Sequence, residues 1–222
     1  MKKLTLLFVS MLLLVGCAKI YSWNQKVTLY FETPNGPVVA SGVTHVELRH
    51  ERLILVGSVN PVNSDIYGEA IMVALGGDRY LFVLMPSGST ASNVYSDLRP
   101  KGSDGFRFIT KQIGKEPVVL DTHRYRPDMV YFPNINDPMS AIEVTPDNFT
   151  EVLGDGYVYD KMTFGITRDD VSLPSVSQVL TKQFFDQRSS ALREIRQEPI
   201  YRSERVIFIR YLGRDAFIKE KL

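Results

Sequence analysis

The chain has 222 residues, 26 of them lysine or arginine against 25 aspartates and glutamates, with 44% hydrophobic residues and a single cysteine. Charge this balanced leaves no basic footprint for nucleic acid and no polybasic patch for an anionic membrane surface, so nucleic acid is not an expected partner. One cysteine excludes an intrachain disulfide. The fold must rest on burial, for which this length and hydrophobic content supply one sizeable core or two small ones.

The chain opens with Met1-Lys2-Lys3, an apolar run from Leu4 to Val15, and then Gly16-Cys17. A charged start, a short apolar stretch and a small residue are the parts of a secretory signal. The run is interrupted by Thr5 and Ser10 and is shorter than the ~20 apolar residues that span a bilayer. Leu14-Val15-Gly16-Cys17 resembles the lipobox of bacterial lipoproteins. That resemblance implies a lipid on the Cys17 thiol, cleavage after Gly16 and attachment to a membrane by two or three acyl chains, since one chain alone binds only marginally. A type I signal with a chance cysteine, or an uncleaved anchor, is the plainer alternative. Ala18 is not the aspartate that lipoprotein sorting associates with inner-membrane retention, so the expected location is the periplasmic face of the outer membrane in a diderm organism.

Loss of Lys2 and Lys3 with the leader leaves 24 basic residues against 25 acidic ones, still near neutrality. The expected organisation is a signal peptide over 1–16, a lipidated N-terminus and short tether over 17–24, and a single extracytoplasmic domain over 25–222. Tyr21 and Trp23 suit the headgroup level of a bilayer, although Trp23 as the start of the first strand's core is the commoner use.

From Gln25 to Thr33 the pattern alternates, with Val27, Leu29 and Phe31 on one side and Lys26, Thr28, Tyr30 and Glu32 on the other. Pro34-Asn35-Gly36-Pro37 supplies turn chemistry before a second run from Val38 to Leu48, so 25–48 reads as a β-hairpin. Arg52 to Val59 reads as a third strand. Tyr67 to Leu75 and Arg79 to Met85 flank Gly76-Gly77-Asp78 as a second hairpin, apolar on both sides of each strand as in a sheet covered on both faces. Pro86 to Gly105, rich in Ser and Gly, reads as a long loop of the sort that carries function.

Short strands are predicted at Phe106–Ile109, Pro117–Leu120, Met129–Phe132 and Ala141–Val144. Thr145-Pro146-Asp147-Asn148 marks the start of a short helix that Gly154 ends, and Tyr157 to Ile166 resumes as a strand. Ser175 and Gln178 fit a capping box for one long helix, whose apolar stripe runs through Val176, Val179, Leu180, Phe184, Leu192 and Ile195 and which Pro199 closes. Val206 to Leu212 reads as the last strand. The expected fold is therefore α+β and β-rich: an antiparallel or mixed sheet with one long C-terminal helix and one short helix.

Several phrases in order, Trp23-Asn24-Gln25-Lys26, Glu32-Thr33-Pro34, Gly68-Glu69-Ala70, Leu81-Phe82-Val83-Leu84, Asp137-Pro138, Pro146-Asp147-Asn148-Phe149 and Gly154-Asp155-Gly156, resemble an uncharacterised family of bacterial proteins, some of them exported. The resemblance spans roughly 21–168. It implies no activity and supplies no catalytic residues.

Candidate chemistry is sparse. His45 and Glu47 are two apart on a predicted strand and so share a face; Asp121 and His123 repeat the spacing, and the four together have the donor types of a zinc site. Solvent-facing polar residues are the commoner explanation. Ser87 and Ser89 sit beside a glycine after a buried strand, a candidate ligand loop, but no G-x-S-x-G elbow surrounds them. His123-Arg124-Tyr125-Arg126-Pro127 interleaves base and ring, while Tyr157 and Tyr159 share a strand face and are expected to pack cross-strand. No cofactor motif is present, and none is expected. The reading is a membrane-anchored lipoprotein that binds an envelope protein or component without catalysis, held to the membrane through Cys17. The alternative is a small periplasmic hydrolase or a metal- or ligand-binding protein.

Overall fold

The computed structural model describes residues 19–50, 62–121, 128–171 and 175–220. The expected third strand at Arg52–Val59 falls outside them.

Two long strands, β1 (Lys19–Thr33) and β2 (Gly36–His50), form the predicted hairpin, paired from Lys19↔His50 to Thr33↔Gly36 around the two-residue turn Pro34-Asn35. Thr33 clamps that turn, its hydroxyl donating to Gly36 O at 2.8 Å and accepting from Asn35 N at 3.1 Å. Gly36 has φ +110°, the conformation that only glycine adopts without strain. Strand β3 (Val62–Glu69) adds to β2, and β9 (Val158–Thr167) adds to the other side of β1. Two-residue strands close the edges: β10 (Ile218–Lys219) on β3 and β6 (Val118–Val119) on β9. All pairs in this six-stranded sheet are antiparallel.

A second antiparallel sheet has the order β4 (Ile71–Ala74), β5 (Tyr80–Val83), β7 (Met129–Phe132), β8 (Ile142–Val144). The Gly76-Gly77-Asp78 hairpin forms as expected between β4 and β5. The run Tyr67–Leu75, expected as one strand, is divided between the two sheets. Gly68 is the reason: its φ is +140°, and a Cβ there would lie 2.9 Å from Thr44 Cγ2. The chain bends where no side chain fits, and Ala70 N then bonds Phe217 O at 2.7 Å instead of a sheet neighbour.

The sheets stack into layers. Leu29, Phe31, Val46, Met162 and Phe164 from the large sheet meet Ile71, Leu81, Val83, Met129 and Tyr131 from the small one in a shared core. Three short helices join that core: α1 (Thr90–Val94), α2 (Ser103–Thr110) and α3 (Phe149–Leu153). Alternate residues of the small sheet point the other way. Phe82, Val130 and Phe132 pack with Phe184, Phe185, Ile209 and Phe217 into a second core beneath the C-terminal helices. Edge-to-face pairs such as Phe82–Phe217 at 5.4 Å and Phe132–Phe184 at 5.5 Å add to its burial energy.

Four further expectations need correction. The supposed loop Pro86–Gly105 contains α1 and the start of α2, and Phe106–Ile109 is part of α2 rather than a strand. Buried Ala91 and Tyr95, four apart, and Phe106 and Ile109, three apart, are helical spacings that a short apolar run cannot distinguish from alternation. The single long C-terminal helix is instead α4 (Val176–Val179) and α5 (Lys182–Glu194), broken at Leu180 because Thr181 caps α5 by accepting from Phe184 N at 3.4 Å. The predicted last strand is α6 (Glu204–Tyr211), capped by Ser203, with Val206 and Ile209 buried one helical turn apart. A one-turn α7 (Arg214–Phe217) then leads into β10.

Trp23 is buried in the inter-sheet core, so its ring begins the core. The predicted helix start at Thr145 is instead a turn, with Thr145 N donating to Asn148 Oδ1 at 2.7 Å and Asn148 N donating to Thr145 Oγ1 at 3.3 Å, and α3 begins only at Phe149 after the N-cap Asn148.

Candidate functional site

The residues singled out from sequence are not gathered in one place. His45 and Glu47 share the outer face of the large sheet, as their spacing requires. His45 Nδ1 lies 2.7 Å from Asn24 Oδ1 and its ring stacks on Tyr67, while Glu47 accepts two hydrogen bonds from Arg49. Asp121 follows β6, and β1 and β9 lie between that strand and β2. Three inter-strand steps and several residues along the strands put Asp121 on the order of 20 Å from His45, against metal–ligand bonds of ~2 Å. Among the described residues no three histidines, cysteines, aspartates or glutamates form a group that could hold a metal ion. His123 lies outside the described residues, as do Gly16 and Cys17.

Ser87 and Ser89 bond each other at 2.8 Å, and Ser87 also reaches Thr90 Oγ1 at 3.3 Å, all at the entrance of α1. Ser89 is the N-cap of α1 by position and makes no side-chain capping bond. Tyr159 packs edge-on to Phe149, and burial, with Asp160 nearby, pushes its hydroxyl up to about 12. Tyr157 lies under the Arg79 guanidinium.

A groove on the outer face of the large sheet assembles more. Alternation along β1 brings Lys26, Thr28 and Tyr30 outward, and the β1–β9 register sets Gly165 opposite Lys26, Thr163 opposite Thr28 and Lys161 opposite Tyr30. The 114–117 segment folds beside them, with Gly114 N donating to Ile166 O at 3.1 Å and Pro117 resting over Gly165 at ordinary contact distance. The groove so bounded has a volume of about 310 Å³. At one end Thr167 turns the chain by accepting from Asp169 N at 3.0 Å. Asp169 then takes the Lys26 ammonium at 3.0 Å, and Asn24 Nδ2 donates to Asp169 O at 2.9 Å. The hydrogen bond from Lys26, joined by one from Thr167, holds the Asp169 carboxyl below the usual carboxylate range.

At the centre, Thr28 and Thr163 are only 9% and 8% exposed. Neither hydroxyl has a hydrogen-bond partner among the described residues, and Lys115 on the rim has no ion pair among them. The two threonines are cross-strand neighbours, so their Cβ atoms stand about 5 Å apart. The groove therefore offers two adjacent donor–acceptor groups, a carboxylate with one oxygen committed to Lys26, a free ammonium and a ring.

Sequence reasoning placed Lys26, Thr28 and Tyr30 on the polar side of β1 but did not join them to β9. The available signal was Gly165 inside a strand pattern, which marks close backbone approach. It also missed Glu69, 6% exposed, whose Oε2 accepts from Ser175 N at 2.6 Å and Val176 N at 3.0 Å. That carboxylate caps α4, and Ser175 makes no side-chain capping bond of its own.

No helix among the described residues is long and apolar enough to cross a membrane. Comparison with known proteins finds no matching family, no matching curated protein and no matching solved structure.

Proposed function

We propose that the chain is a lipid-anchored, extracytoplasmic binding module of the bacterial cell envelope, acting by holding a partner or envelope component near a membrane rather than by turning over a substrate. The observation that carries this reading is Leu14-Val15-Gly16-Cys17 followed, two residues on, by Lys19, the first residue of β1. Two residues span at most ~7 Å, so a lipid on Cys17 holds the end of the large sheet that carries Lys19 and Arg49 close to the headgroups. The groove at Lys26–Tyr30 then stands about 25–35 Å farther along β1, clear of the bilayer. The distance between His45 and Asp121 weighs against a metal-centred alternative.

The test compares the native chain with a Cys17→Ser form exported behind an unrelated cleavable signal. Labelled fatty acid and the membrane fraction should both follow the native chain, and a crosslinked envelope partner should be recovered with that form alone. Equal membrane recovery of the Cys17→Ser form, without label in either, sinks the anchoring. A lipidated chain that crosslinks to nothing leaves the anchor and removes the adaptor role.

A further inference from the structure

We propose that the groove between β1 and β9 is a saccharide-binding site that takes a sugar unit bearing a carboxylate. The inference rests on the binding-module reading only for the source of the sugar, an envelope polymer; the site itself rests on its geometry.

Thr28 and Thr163 carry the argument. They face each other across the β1–β9 ladder, each residue more than nine-tenths buried, and neither hydroxyl is among the sealed polar atoms without a partner, so both open onto the groove. Valine has the same shape and favours strands at least as well, so packing alone does not call for a hydroxyl at either position. A hydroxyl both donates and accepts. Two of them side by side match a partner that does the same at two neighbouring atoms, as adjacent sugar hydroxyls do. A fully deprotonated anion such as sulfate only accepts, and a metal ion would meet ammonium groups at both Lys26 and Lys115.

The walls fit the same class. Pro117, seated over Gly165, gives apolar surface for the C–H face of a ring, beside Tyr30, whose ring carries the Lys161 ammonium 5.1 Å from its centroid. Lys26 and Thr167 both hydrogen-bond the Asp169 carboxylate, whose remaining lone pairs can accept from a further sugar hydroxyl. Lys115, without an ion pair among the described residues, supplies the counter-charge for a carboxylate. A volume of about 310 Å³ is at the lower end of small-molecule sites, which suits one ring and its substituents with the rest of a chain running out of the groove.

The test uses the full chain in detergent, titrated with a galacturonic acid trimer, the matching neutral galactose trimer and sodium acetate, read by calorimetry and by threonine methyl NMR. The acidic trimer should bind saturably and shift the Thr28 and Thr163 methyl signals, with the neutral trimer weaker. The Thr28→Val/Thr163→Val double variant should lose about tenfold or more in affinity, the equivalent of one or two hydrogen bonds, while its Tm stays the same or rises. Lys115→Gln should erase the preference for the acidic trimer and leave neutral binding in place. No saturable binding by either trimer, undiminished binding in the double variant, or acetate binding as well as the trimer would each overturn the proposal. Since these readouts are independent of membrane fractionation, failure here leaves the anchored-module reading standing, and failure of anchoring leaves the groove's result intact.

Discussion

The central strands β5 and β7 of the four-stranded sheet are buried on both faces, whereas β1 of the six-stranded sheet buries one face and leaves most positions on the other half-buried or exposed. In β5, Leu81 enters the inter-sheet core and its neighbour Phe82 enters the core beneath the helices, both fully buried. In β1, Leu29 is fully buried while Tyr30 beside it is half-buried on the groove side. The difference is written in the side chains: a strand covered twice reads as an unbroken apolar run, and one covered once alternates. It also says where recognition chemistry has room. A residue of β5 or β7 is committed to packing on either side, but outward positions of β1 can change without emptying a core.

The sharpest way to break this contrast is to truncate neighbours. Phe82→Ala should cost about 3–5 kcal/mol and Leu81→Ala about 2–5, each leaving a cavity in a different core. In the large sheet the neighbours should part company. Leu29→Ala should cost about 2–5 kcal/mol, and Thr28→Val should fall within about 0.5 kcal/mol of wild type or raise stability, since it removes an unbonded hydroxyl. Urea denaturation of the four variants settles the matter. A Thr28→Val loss as large as that of Leu29→Ala would mean that the outer face is packed after all.

A smaller effect tests how the helical layer is tied to the sheets. Glu69 leaves the large sheet at the Gly68 bend and caps α4 with a buried carboxylate oxygen that accepts two backbone N–H bonds. Glu69→Ala should cost about 2–3 kcal/mol, because two donors lose a charged acceptor in a dry site. Glu69→Gln keeps an acceptor oxygen and should lose less. If the two variants lose equally, the charge rather than the hydrogen bonds holds the cap.

What the sequence reveals follows the same division. The β1–β2 hairpin and the Gly76-Gly77-Asp78 hairpin are legible because local chemistry decides them, and a short helix ending at Gly154 is legible although it starts at Phe149 rather than after Thr145. The two-sided burial of the small sheet is legible from composition alone. The bend at Gly68 is not, since it depends on Thr44 standing 2.9 Å from a Cβ that is absent, a neighbour supplied by another strand. The break at Thr181 and the helical state of Glu204–Tyr211 are hidden likewise, because short apolar runs satisfy either period until a partner surface chooses between them. For the site, alternation assigns Lys26, Thr28 and Tyr30 to one side of β1. Only the β1–β9 register makes Thr28 and Thr163 a pair, and only the fold shows that they are covered.

The gentlest probe of the solvent-facing side is the Lys26–Asp169 pair at the end of the groove. Its carboxyl sits below the usual value of about 3.9 because Lys26 donates to it, with Thr167 assisting. A carboxylate depressed in the folded state contributes its stability above the unfolded value, and that contribution fades as pH falls through the lower folded one. Both partners are well exposed, so global stability should barely register the loss; the site itself should. In an NMR titration the Asp169 carboxyl carbon should show a midpoint under the unperturbed range, and Lys26→Met should move it upward. Below that midpoint the protonated Asp169 releases the ammonium, so affinity for the neutral sugar, which does not itself titrate there, should change in the native chain and not in Asp169→Asn. A midpoint that ignores Lys26→Met would mean that the two groups do not act together in solution, and the end of the groove would then have to be redrawn without them.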